Sequence, residues 1–204
     1  MIVHLIRHGE TAHNRSGLTL GRADVPLNEL GQRQAAALGA RFADQPLGAI
    51  YTSPLSRAHE TARALAGERD IPLYVRDELL EMDVGETENI TFAELRERYP
   101  EFLLEWAGER PEAALMPGGE TLLDVAARLE PFLHDLRAIT HDHIAVVSHN
   151  FVLKVIVCRL LDVELRSFRA FATDVASLST AVVRDGRVSI RVLNDRCHLD
   201  ALES

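Results

Sequence analysis

A chain of 204 residues with 47% apolar and 26% charged side chains has the composition of a soluble globular protein, which excludes disordered, collagenous and coiled-coil classes. Its formal charge of −9, with basic residues spread along the chain, argues against nucleic acid or an anionic membrane as partner and for a small molecule. No apolar stretch approaches bilayer length, the opening run is too short for a signal peptide, and Cys158 and Cys197 lack CxxC spacing, so a cytoplasmic protein with free thiols is expected.

Residues 2–7 form a mostly apolar run ending near Gly9, the pattern of a buried strand passing into a loop. Asn28 is placed to cap an Ala-rich helix reaching about residue 42, and 47–51 reads as the next strand. Strand, helix, strand suggests a parallel sheet. Ser53-Pro54 predicts a helix start with Ser53 as cap and Pro54 in the first position, leading into residues 55–66; a third strand follows at 71–75.

Residues 78–118 lack strand character. Within them Phe92, Leu95, Tyr99, Phe102, Leu103 and Trp106 recur at steps of three and four, which predicts paired amphipathic helices. Thr91 with Glu94 fits a capping box, Pro100 re-starts the helix, and the Gly/Pro cluster at 117–119 closes the segment. A long helix over 121–137, opened by Thr121 and Asp124 and kinked by Pro131, leads to a buried strand at 143–148 and a helical stretch at 151–161. The tail reads as a hairpin, 178–183 and 188–193, with a type I′ turn at Asp185-Gly186. The expected fold is a three-layer α/β/α sandwich, with a mostly parallel central sheet and a helical cap over about 78–118, the whole of 1–204 forming one domain.

The chemistry gathers at strand ends. Arg7-His8-Gly9-Glu10-Thr11 closes the first strand, and Ser148-His149-Asn150 closes a later one at a helix start. In an open α/β sheet ligands bind outside the carboxyl ends of the strands, and a helix N-terminus there favours an anion, so a phosphate is the natural candidate. Arg7 and Arg57 supply guanidinium forks that match phosphate oxygens. If they and His149 surround a phosphoryl group, unprotonated His8 attacks phosphorus and becomes a phosphohistidine, with its pKa lowered by the neighbouring cations. Glu81 is the candidate to protonate the leaving alkoxide and then to activate water. His141-Asp142-His143 reads as a solvated turn rather than a metal site, and His59, two positions beyond Arg57, as structural. Lys154 is the only lysine, a bias that assigns it no role.

The ordered set LIRHGET at 5–11 with Asn14, Gly21-Arg22-x-Asp24-x-Pro26-Leu27, Glu29-Leu30-Gly31, Thr52-Ser53-Pro54-Leu55-Ser56-Arg57-Ala58, Pro117-Gly118-Gly119-Glu120 and Val147-Ser148-His149 resembles the histidine phosphatase superfamily, with its phosphoglycerate mutase-like fold. The resemblance spans nearly the whole chain, including the tail Leu193-Asn194-Asp195 and His198-Leu199. It implies a catalytic set of His8, Glu81 and His149, with His8 phosphorylated and Glu81 the proton donor. It also implies phosphate binding by Arg7, Asn14 and Arg57 together with His149, and a substrate site lined by Thr11, Gly21 and Arg22, with no metal and no cofactor.

Residues 79–85 followed by 92–100 look like the broad cytosolic phosphatases. The Tyr-Gly, Lys and paired Arg of the glycolytic mutases are missing. Net hydrolysis of a small phosphorylated metabolite is therefore expected, the alternatives being a phosphoglycerate mutase or a catalytically silent phospho-ligand binder; monomer and homodimer both stay open. Two departures mark the pocket. Thr87-Glu88-Asn89 stands where such phosphatases commonly read Trp-Glu-Gly, and Asn150 stands where they read Gly, narrowing the pocket or hydrogen-bonding a substrate.

Overall fold

The structure is a computed structural model that describes residues 1–184 and 186–203, the side chains of Arg137 and Glu203 excepted. Six strands form one sheet in the order β3-β2-β4-β1-β5-β6, with β1 at Ile2–Arg7, β2 at Ala49–Thr52, β3 at Leu73–Val75, β4 at His143–Ser148, β5 at Leu178–Arg184 and β6 at Arg187–Asp195. The pairs β1/β4, β2/β4 and β2/β3 are parallel, and the β5/β6 hairpin is appended antiparallel to β1. The helices are α1 (Ala12–Ser16), α2 (Glu29–Arg41), α3 (Ser56–Ala66), α4 (Phe92–Arg98), α5 (Pro100–Ala107), α6 (Leu122–Ala138), α7 (Asn150–Leu161) and α8 (Asp200–Glu203). No helix among the described residues is long and apolar enough to cross a membrane.

β1 and β4 are nearly continuous apolar runs because both faces of the sheet are covered. Side chains alternate along a strand, which sorts them into two cores. Val3, Leu5, Ala49, Ile144 and Val146 pack with α6 and α7, whereas Ile6, Ile50, Ala145 and Val147 pack with α2 and α3. On the first face lies the cap. Its Leu79, Met82, Ile90, Leu95 and Phe102 join the same core as Leu129 of α6 and Ile156 of α7.

Local signals explain most boundaries. Asn28 accepts from the Gly31 amide to cap α2, Thr91/Glu94 and Thr121/Asp124 are capping boxes for α4 and α6, and Pro100 opens α5. Gly31 is required by a close crossing, since a Cβ there would lie 2.0 Å from the Glu10 carbonyl oxygen. α6 continues through Pro131, which sits on its exposed side.

Other boundaries differ from the sequence reading. α3 begins at Ser56, two residues later than a Ser53 cap predicts; Asp24 Oδ1 accepts from both the Ser56 amide (2.7 Å) and its hydroxyl (2.8 Å), capping the helix from outside. β3 loses its first two residues, because Pro72 has no amide to donate and contributes only its carbonyl, to Ile50. At the tail, Arg184 pairs Arg187 and Gly186 adopts φ +73°, while Asp185 lies outside the described residues.

Candidate active site

Register sets the site. Arg7 of β1 pairs Ser148 of β4, and the His8 amide donates to the Ser148 carbonyl (3.1 Å), so His8 and His149 leave the sheet side by side at its carboxyl edge. Their ring centroids are 5.1 Å apart and tilted by 58°.

His8 is buried, with Nδ1 2.7 Å from the Gly9 carbonyl oxygen. A carbonyl only accepts, so Nδ1 carries the proton and Nε2 keeps its lone pair. Burial, then the charges of Arg7 and Arg57, push the ring's pKa well below the ordinary imidazole value, against the opposing Gly9 hydrogen bond. His149 has the other tautomer. Arg57 Nε donates to its Nδ1 (3.3 Å), which leaves the proton on Nε2 facing Ser53 Oγ (2.8 Å). Burial, then Arg57 and His8, hold its pKa well below the usual value.

Arg57, in the first turn of α3, is fully buried and donates Nη1 to the Ala23 carbonyl (2.8 Å) and Nη2 to the Gly21 carbonyl (2.7 Å). Arg7 donates Nη1 to the Thr173 carbonyl (2.7 Å), while its buried Nε has no hydrogen-bond partner among the described residues. Burial lowers both arginine pKa values, which Glu81 opposes, but guanidinium stays protonated in proteins. Glu81, buried at the cap's root, accepts from the Met82 amide (2.8 Å) and from the Phe151 amide at the start of α7 (3.3 Å). Burial raises its pKa above the carboxylate norm, overriding those bonds and the two arginines. Two cations, two imidazoles with lowered pKa values and a carboxyl whose pKa burial raises make a pocket suited to a dianion and to proton transfer.

The remaining sequence candidates divide. Thr11 and Asn14 form the capping box of α1: Asn14 Oδ1 accepts from the Thr11 amide (3.1 Å) and hydroxyl (2.9 Å), leaving Nδ2 as its uncommitted donor. Asn150 Oδ1 accepts from the hydroxyl of Thr173 (2.7 Å), the same residue whose carbonyl accepts from Arg7. Arg22, by contrast, is drawn outward, its Nη2 2.8 Å from Glu120 Oε1 and its Nη1 3.6 Å from Asp83 Oδ2.

Two residues escaped the sequence reading as parts of the site. Glu88 receives the amides of Gly21 (2.7 Å), Arg22 (3.0 Å) and Ala23 (3.1 Å), thereby fixing the two carbonyls that hold Arg57. The glutamate retained within Thr87-Glu88-Asn89 was the available signal. Asn89 beside it has φ +65°, a conformation asparagine accepts more readily than other residues with a Cβ, which is why it can replace glycine there. Ser53, read as a helix cap, instead faces His149 and also accepts from the Leu55 amide (3.3 Å).

A model of the histidine phosphatase superfamily (branch 1) matches residues 3–196. Phosphoserine phosphatase 1 of Hydrogenobacter thermophilus is 34% identical over 196 residues, covering 96% of this chain and 92% of that protein. The adenosylcobalamin/alpha-ribazole phosphatase of Salmonella typhimurium is 32% identical over 197 residues, 96% of this chain and 97% of its own. The alpha-ribazole phosphatase from Shigella flexneri superposes with a TM-score of 0.88 at 32% identity, over 96% of each chain.

Proposed function

The chain belongs to the histidine phosphatase superfamily, and from that premise we propose that it hydrolyses small phosphomonoesters with His8 as nucleophile and Glu81 as acid and base. The observation that carries the assignment of His8 is its Nδ1 contact with the Gly9 carbonyl, which points the free lone pair to Nε2 among buried cations.

Nε2 of His8 attacks phosphorus, forming an N–P bond as the ester P–O bond breaks. The leaving alkoxide takes the bond's electron pair and receives the Glu81 proton, departing as an alcohol. Water then attacks the phosphohistidine and gives a proton to the Glu81 carboxylate. The N–P electron pair returns to His8, and inorganic phosphate leaves. Arg7, Arg57 and the Asn14 amide hold the phosphoryl oxygens and offset charge in the transition state. His149, fixed between Arg57 and Ser53, forms the wall against which the His8 ring is oriented. Thr11, Gly21 and Asn150 shape the substrate side, with Arg22 acting through the loop it anchors. Residues 1–204 are read as one catalytic domain capped over about 78–118, taking a small phosphorylated metabolite. The names of the relatives support this reading, since phosphoserine and alpha-ribazole phosphatases both act on small phosphomonoesters.

The test is phosphate release and phosphoenzyme trapping with an alkyl phosphate. Wild-type protein should release phosphate to water and yield an acid-labile, alkali-stable phosphoenzyme; His8→Ala should do neither. Turnover retained by His8→Ala rejects the reading.

A further inference from the structure

The phosphoryl chemistry makes no use of Lys154. It lies on α7 one turn after Asn150, so the two side chains share a helix face. Helical side chains lean toward the helix N-terminus, and here that terminus borders the site through the Phe151 amide on Glu81. The Lys154 ammonium lies 5.8 Å from the Phe168 ring centroid, against a wall where Phe168 packs on Trp106 (5.3 Å) and Phe151 (6.3 Å).

Lys154 is half-buried, yet makes no hydrogen bond or ion pair among the described residues. The neighbouring charged groups are otherwise engaged. Arg169 stacks over Phe168 (4.8 Å) and Trp106 (5.3 Å) and donates to the Trp106 carbonyl, and Asp174 accepts from Asn194 Nδ2 (2.9 Å). Burial, then the Arg7 charge, lower the ammonium's pKa, while Glu81 raises it, so it senses the phosphoryl cradle. A partly buried charge without a partner is costly unless an anion arrives to match it. Asn150 adds a donor on the same face, since its Oδ1 is occupied by Thr173 and its Nδ2 is left.

We propose that Lys154 Nζ and Asn150 Nδ2 form a second anion subsite, selecting phosphomonoesters whose alcohol carries a carboxylate. One ammonium and one amide donor match a planar monoanion, whereas the phosphoryl group is met by two guanidiniums. The subsite differs in place from the missing Lys and paired Arg of the mutase-type cap, being built on α7.

The proposal rests on the phosphatase reading, and its experiment separates the two. Initial rates are measured for 3-phosphoglycerate and for glycerol 3-phosphate, in which a hydroxymethyl group replaces the carboxylate. Wild-type protein should favour 3-phosphoglycerate in kcat/KM; Lys154→Met, which keeps the apolar stem, should cut that ratio about tenfold or more, chiefly through KM. Lys154→Arg should restore part of it. A ratio near one in the wild type, or one unmoved by Lys154→Met, overturns the subsite. If the wild type hydrolyses neither ester nor p-nitrophenyl phosphate, the phosphatase reading fails instead. The subsite is then decided by calorimetric binding of the same two esters: a preference for 3-phosphoglycerate lost in Lys154→Met sustains it, and equal affinity rejects it.

Discussion

His8 and Glu81 are driven in opposite directions by the same burial. Desolvation favours the neutral form of each, so the imidazole loses its proton more readily than usual and the carboxyl holds its proton to higher pH than an ordinary carboxylate. The proposed mechanism requires that pair of states. As pH falls through the lowered His8 pKa the nucleophile is protonated and kcat/KM drops; as pH rises through the raised Glu81 pKa the leaving group loses its acid and kcat/KM drops again. Glu81→Gln should flatten the alkaline limb and lower kcat/KM for an alkyl phosphate by about 10²–10⁴-fold, with kcat/KM for p-nitrophenyl phosphate, whose leaving group needs no proton, lowered far less. Equal losses for the two esters, read from pH–rate profiles, would remove Glu81 from the acid role. At this scale the sequence was legible where a residue type carries its own chemistry: the two histidines and Arg57 converge as the motif order implied. It was not legible where the role comes from backbone geometry. Nothing in spacing says that Glu88 meets three consecutive amides, or that Asn14 spends its oxygen on a helix cap.

Loops and helix ends decide how firmly those side chains are held. The 21–23 loop presents carbonyls to Arg57 on one side and amides to Glu88 on the other, so the arginine is oriented at one remove by a cap-segment carboxylate. Glu88→Ala leaves those amides without their acceptor, costing roughly 1–3 kcal/mol where they stay buried. Misplacement of the guanidinium should lower kcat/KM by about 10–10²-fold, as a shift near 1 Å does in a positioned site. Glu88→Gln, which keeps one acceptor oxygen, should recover part of the loss. A purely structural role predicts lower thermal stability with kcat/KM per folded molecule unchanged, so paired melting and kinetic measurements discriminate. Element starts were readable where cap and helix share a stretch of chain, as at Asn28, Thr91 and Thr121. The start of α3 was misread because its capping carboxylate, Asp24, comes from a distant loop while Ser53 turns to His149.

At the scale of the molecule, the parallel pairing of β1 with β4 joins residues 141 positions apart, and the cap meets α6 and α7 in the core beside them. The mostly parallel sheet was readable because strands alternate with helices and because β1 and β4 are nearly continuous apolar runs, as doubly covered strands are; the strand order was not readable, nor were the short 3₁₀ turns of the cap at Gly85–Thr87 and Pro111–Ala113, since three residues leave no periodic pattern. One anion in this pocket would touch β1 through Arg7, α3 through Arg57 and, through Glu81, both the cap and the start of α7. Ligand binding therefore stabilises the assembled layers together. Inorganic phosphate at about 100 times its Kd should add about 2.7 kcal/mol of folding stability. For a chain of this length that raises Tm by roughly 5–10 °C. The scan is run against sodium chloride of matched ionic strength, which screens surface charge without filling the cradle. Arg57→Ala removes the guanidinium that bridges α3 to His149 and should abolish the shift even where its own melting remains cooperative. A shift that chloride reproduces, or that survives in Arg57→Ala, would mean that phosphate acts elsewhere on the protein.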